Sequence, residues 1–121
     1  MDAIDEDWTT GDVQQLCVRT GHSRFPVRRG AAYIGYVHVK DTLGDDLSRP
    51  LRRERIRELG VVPAGTPLDD VLEAMQRARA HLAVVDDREP GEPVPRGLLV
   101  LEDVLAELVG EVRDATPGAD Q

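Results

Sequence analysis

Aromatic side chains are scarce in this chain. They make up 3 % of 121 residues: one tryptophan, two tyrosines and one phenylalanine. Aliphatic side chains must therefore fill any core. A single cysteine, Cys17, excludes an internal disulfide and makes a reducing cytoplasm the default. Basic residues are outnumbered, 15 against 23 acids, for a formal charge of −8. That argues against nucleic acid or an anionic membrane surface as main partner, because both demand a basic face. A local basic pocket stays open. No apolar run approaches the roughly 20 residues of a membrane-spanning helix, and no signal peptide is visible.

The catalytic repertoire is equally thin. Three histidines, His22, His38 and His81, come without a cysteine cluster or an H-x-x-x-H pair, so no metal site is expected. The acidic pairs Asp45–Asp46, Asp69–Asp70 and Asp86–Asp87 read as solvated turns, with weak magnesium binding as the sharper alternative. Ser23 and His22 are strand neighbours and point to opposite faces, so they form no triad. No glycine-rich phosphate loop is present. The chain is not expected to be an enzyme.

What is present is 40 % apolar residues arranged as a repeat. "GYVHVKDTL" from Gly35 is echoed by "GLLVLEDVL" from Gly97, an offset of 62 (97 − 35, and again 103 − 41 for Asp41 and Asp103). "RFPVRR" precedes the first stretch and "HLAVVDD" the second; earlier still, "TTGDVQQLC" echoes "TPLDDVLEAM". Internal repetition sets the architecture. Each half reads strand, helix, strand, strand, helix: an α/β (α+β) fold of two β-α-β-β-α repeats.

In the second half, Val61–Val62 predicts a strand. Thr66 reads as an N-cap with Pro67 in the first helical position. Leu68, Val71, Leu72, Met75 and Ala78 form a helical stripe, His81–Val85 and Gly97–Leu101 read as strands, and Glu102–Arg113 as a helix. In the first half, Val13, Leu16 and Cys17 share a helical face, Arg24–Val27 and Tyr33–Val39 read as strands, and a short helix is expected from Asp41 to about Leu47. The expected organisation is a first repeat over 1–47, truncated at its N-terminus, a linker over 48–58, a second repeat over 59–114 and a disordered tail over 115–121. The linker's five arginines read as a solvated mixed-charge run, or as phosphate-seeking. A half of about 60 residues buries too little to be stable alone, so the halves are expected to pack about a pseudo-two-fold axis with a cleft at the junction.

"TGHSRFPV" with "GYVHVKD", and "MQRARAHLAVV" with "LEDVLAELVGEVRD", resemble a tandem pair of cystathionine-β-synthase (CBS) domains, a Bateman module. More narrowly they resemble the pair in CorC/HlyC-type membrane proteins, bacterial relatives of the CNNM magnesium transporters. The resemblance covers about Ala3 to Asp114. It implies a regulatory fragment at the cytoplasmic face of the membrane, excised from a parent with a membrane domain implicated in magnesium or cobalt efflux. It also implies a disc-shaped homodimer and, as ligand rather than required cofactor, ATP or AMP with magnesium.

The resemblance further implies where that ligand would sit. The first cleft would use His22, Ser23, Arg24, Phe25 and Pro26 with Val100 and Asp103, and the second Ala80, His81, Leu82 and Ala83 with His38 and Asp41. One carboxylate can accept both ribose hydroxyls, and a helix N-terminus favours phosphate. Asp41 and Asp103 are equally good helix N-caps. Val100 and His38 stand where the family carries a hydrogen-bonding Thr, and "DREPGEPVPR" departs from its shorter glycine-rich turn. A purely structural, dimerising module with a decayed ligand site is the competing expectation, its interface drawn from Leu105, Leu108 and Val109.

Overall fold

The computed structural model describes residues 2–115, with side chains described for 2–110. The chain is mixed α+β and divides into two units, Met1–Leu59 and Gly60–Gln121.

In unit 1, strand β1 (Ile4–Asp5) leads to helix α1 (Thr10–Thr20), then β2 (Arg24–Arg29), β3 (Ala32–His38) and β4 (Ile56–Arg57). The sheet order is β1-β2-β3-β4, with β1 parallel to β2 and the other pairs antiparallel. α1 starts because Thr9 turns its hydroxyl onto the Asp12 N–H at 3.1 Å. It stops at Gly21, whose φ of 75° lets its N–H return to the Cys17 carbonyl. Val13 and Leu16 face a core of Ile4, Phe25, Val27, Val37, Val39 and Leu51, with Cys17 and Trp8 packed at its margin. The core is mostly aliphatic, as the sequence reading expects, but Phe25 and Tyr36 are among its largest buried side chains, and Cys17 is half-buried at its edge.

Three expectations for unit 1 change. The helix predicted from Asp41 to Leu47 is a single 3-10 turn, Val39–Thr42, because Gly44 takes φ 91° and breaks the winding. The N-terminal end supplies a first strand, β1. Residues 48–58 supply β4 and the buried Leu51, so this arginine-rich stretch lies within unit 1.

In unit 2, β5 (Gly60–Pro63), α2 (Leu68–Ala78), β6 (Leu82–Asp86), β7 (Gly97–Val100) and α3 (Leu101–Ala115) follow in order. The sheet is β5-β6-β7, parallel then antiparallel, so both units share the β-α-β-β sequence of pairings. Val71 and Met75 of α2 and Val104 of α3 close over Val62 and Ala83. Leu68, Leu72 and Leu108 pack against them, whereas Ala78 is exposed. Thr66 is not the N-cap: Pro67 holds that position without a side-chain bond, and the Thr66 hydroxyl donates back to the Pro63 carbonyl at 2.6 Å. α2 ends on Arg79 at φ 53°, the non-glycine counterpart of Gly21. The tail expected over 115–121 lies outside the described residues, save Ala115, which ends α3.

Candidate functional site

The repeat places the same backbone construction in each unit. In unit 1, Arg24 opens β2 opposite His38 at the end of β3, and the Val39 N–H donates to the Ser23 carbonyl at 2.8 Å. In unit 2, Leu82 opens β6 opposite Val100 at the end of β7, and the Leu101 N–H donates to the His81 carbonyl at 2.9 Å. Each strand-opening segment is thus tied to the strand–helix junction of its own repeat.

The expected residues divide by exposure. His22 is exposed and its N–H donates to the Thr20 hydroxyl at 3.2 Å; Ser23 is exposed as well. Phe25 is fully buried in the unit 1 core, and Pro26 is buried. In unit 2, Ala80, Leu82 and Ala83 are buried, while Val100 is half-buried. His81 is half-buried, with Nδ1 3.8 Å from a Glu102 carboxylate oxygen.

Neither aspartate is an N-cap, which corrects that alternative. Asp103 lies in the first turn of α3, three residues beyond the end of β7, because strand runs into helix without a spacer. It is exposed, and among the described residues no ion pair or side-chain hydrogen bond engages it. Asp41 lies within the 3-10 turn. The Arg57 fork donates to it from Nε at 2.8 Å and Nη2 at 3.0 Å. The cap of that turn is His38, whose Nδ1 accepts the Lys40 N–H at 3.2 Å. An accepting Nδ1 requires the neutral ring with its proton on Nε2. Burial first, then Arg24, Lys40 and Arg57, push the His38 pKa down, against the opposing pull of Asp41.

The arginines of 49–57 mostly fold back onto their own unit. Arg55 grips Asp45 with two bonds of 2.9 Å, Arg52 stands 3.5 Å away, and the Asp45 side chain is only 7 % exposed. The Arg55 hydrogen bonds foremost hold the Asp45 carboxyl below its usual range. Two of the acidic pairs are likewise engaged: Asp46 binds Ser48, Asp86 binds Arg88, and Asp87 accepts the Arg96 N–H, whereas Asp69 and Asp70 are exposed in the first turn of α2. Among the described residues no cluster of three or more metal-ligating side chains is found, and no helix is long and apolar enough to cross a membrane. Arg57 is the residue that sequence reasoning missed. Its only signal was membership of an arginine run, and its role depends on β4 pairing beside Tyr36.

Residues 54–110 match the CBS domain family. An uncharacterised Mycobacterium tuberculosis protein, Rv1841c, is 44 % identical over 117 residues, 94 % of this chain and 33 % of its own length. The chain thus spans about a third of that relative. Among solved structures, the CBS domain of a bacterial CNNM/CorC family Mg2+ transporter in complex with ATP matches at TM-score 0.76 and 30 % identity, covering 91 % of this chain and 80 % of that one. A hemolysin-like, CBS-containing protein of Oenococcus oeni matches at TM-score 0.73 and 30 % identity, covering 89 % and 81 %.

Proposed function

The chain belongs to the CBS-domain family, and on that premise we propose that it is the regulatory CBS module of a CorC/HlyC-type membrane protein for magnesium or cobalt transport, sensing adenosine nucleotides. The observation that carries this reading is the likeness to a CNNM/CorC-family CBS domain solved with ATP. The exposed Asp103 carboxylate would take the ribose hydroxyls. The module would work at the cytoplasmic face of the membrane, joined to the membrane domain of its parent and paired with a second copy. Support for pairing comes from apolar side chains left outside the units: Val18 on α1 is 79 % exposed and Val109 on α3 50 %. Leu108, by contrast, is spent on the unit 2 core.

The test is thermal melting with ATP and AMP, with and without magnesium. A ligand at 100 times its Kd adds about 2.7 kcal/mol to the folded state, a rise of several degrees. A melting temperature indifferent to millimolar nucleotide would sink the proposal.

A second reading, a structural dimerisation module whose ligand site has decayed, is favoured by Val100. Its isopropyl group offers no hydrogen bond, and a lost bond to a charged group costs about 1.5–3 kcal/mol, roughly 10- to 150-fold in affinity. Val100→Thr separates the two. A gain of that size in ATP affinity is expected if the site is live but weakened, and no binding in either protein leaves the structural role. Light scattering should give a dimer under both readings; a monomer at working concentration contradicts the pairing.

A further inference from the structure

The two repeats carry their junction aspartates in opposite conditions. Asp103 is exposed in the first turn of α3, with no ion pair or side-chain hydrogen bond among the described residues. Both oxygens of Asp41 are taken by one guanidinium, at 2.8 and 3.0 Å. Arg57 is itself held in place. It sits in β4 opposite Tyr36, against the glycine at position 35, where a Cβ would meet the Arg57 carbonyl oxygen at 2.5 Å. We propose that Arg57 is a built-in competitor at the first junction, a latch that closes Asp41 to the paired hydroxyls of a ribose and leaves Asp103 as the open carboxylate.

The inference rests on the nucleotide reading above and adds the regulation of its site. A carboxylate receives a ribose by accepting from both hydroxyls. At Asp41 those acceptor positions face two guanidinium N–H donors, so a diol must displace a charge-assisted fork that is stronger than the neutral bonds replacing it. The guanidinium stays charged at every accessible pH, so the latch is not released by loss of its own proton. Arg24, Lys40 and Arg57 also surround His38, so this junction is locally cationic in an acidic chain.

Titration calorimetry of wild type, Arg57→Ala and Asp41→Asn/Arg57→Ala with adenosine reads the latch, because adenosine offers the diol without a phosphate for Arg57 to hold. ATP run in parallel reads the nucleotide proposal. Arg57→Ala should bind adenosine more tightly than wild type by up to about fivefold, the range expected from removing a partly exposed ion pair. Adding Asp41→Asn should erase the gain. Arg57→Lys, which keeps the charge and loses the fork, should fall between and guards against a folding defect in the alanine variant. Equal or weaker adenosine binding by Arg57→Ala overturns the latch, and ATP binding by wild type in that case leaves the nucleotide reading standing. The adenosine gain without ATP binding by wild type upholds the latch and removes ATP as the ligand.

Discussion

Replacing Gly35 by alanine tests how tightly β4 is held. The added Cβ would stand 2.5 Å from the Arg57 carbonyl oxygen and closer still to Ile56 Cγ2. Ordinary contact begins at 3.4 Å, so β4 must withdraw by 0.9 Å (3.4 − 2.5). The obstructing oxygen is backbone and cannot rotate aside. A shift of that size carries a typical 2.9 Å ladder bond to about 3.8 Å, beyond hydrogen-bond reach. The pairings Tyr36↔Arg57 and Val37↔Ile56 are the whole β3–β4 ladder, so little remains to resist. Overpacking of this kind costs about 1–3 kcal/mol, and alanine regains about 0.5–1 kcal/mol over glycine in a strand. The net expectation is a loss of up to about 2.5 kcal/mol. Gly60→Ala in β5 is the matched control: its Cβ would meet Ala83 Cβ at 3.5 Å and Ala80 Cβ at 3.7 Å, which is ordinary contact. That variant should be neutral or stabilised. Urea unfolding followed by circular dichroism gives both values, and Trp8, the sole tryptophan, reports unit 1 by fluorescence. Equal midpoints for the two variants would refute the reasoning.

Three further outcomes are expected. Asp45→Asn should lower the melting temperature at pH 7. Because the folded Asp45 carboxyl titrates below its unfolded value, its stabilisation is full above the ordinary carboxylate range near pH 4 and is lost as pH falls through the lower folded value. The wild type should therefore lose its advantage over Asp45→Asn as pH falls below the ordinary carboxylate range, and a gap in melting scans that stays constant on acidification contradicts the pairing with Arg55. Arg79→Gly should stabilise by about 1 kcal/mol in urea unfolding, since the φ of 53° strains any side chain. Met75→Ala, at 2 % exposure in the unit 2 core, should cost about 2–5 kcal/mol by the same assay.

Much of the fold was legible because the repeat carries its own register. Gly35 and Gly97, Asp41 and Asp103 mark equivalent strand–junction positions, and both sit where the backbone constructions coincide. Helices α1 and α2 were legible from Val13–Leu16 and Leu68–Met75, whose apolar spacing matches the winding. What escaped depends on contacts remote in sequence. Ile56–Arg57 is two residues inside an arginine run, so only its partner Tyr36–Val37 makes it a strand. The Asp41–Arg57 and Asp45–Arg55 forks need that strand first, and so the arginines looked solvated. Local conformation misled twice: Gly44 at φ 91° ended a helix after one turn, and the Thr66 hydroxyl closed the turn before α2 instead of capping it. The candidate ligand residues were readable as types and positions, but not their condition. Phe25 is committed to the core, whereas Asp103 is open.

Equilibrium dialysis of ATP with magnesium against the wild-type chain and Asp103→Asn tests the central claim most directly. Saturable binding by the wild type is expected, with a loss of at least about tenfold in Asp103→Asn, the effect of removing a charged acceptor from paired hydroxyls. No retention of ATP by the wild type at millimolar concentration, or equal retention by the two proteins, would contradict it.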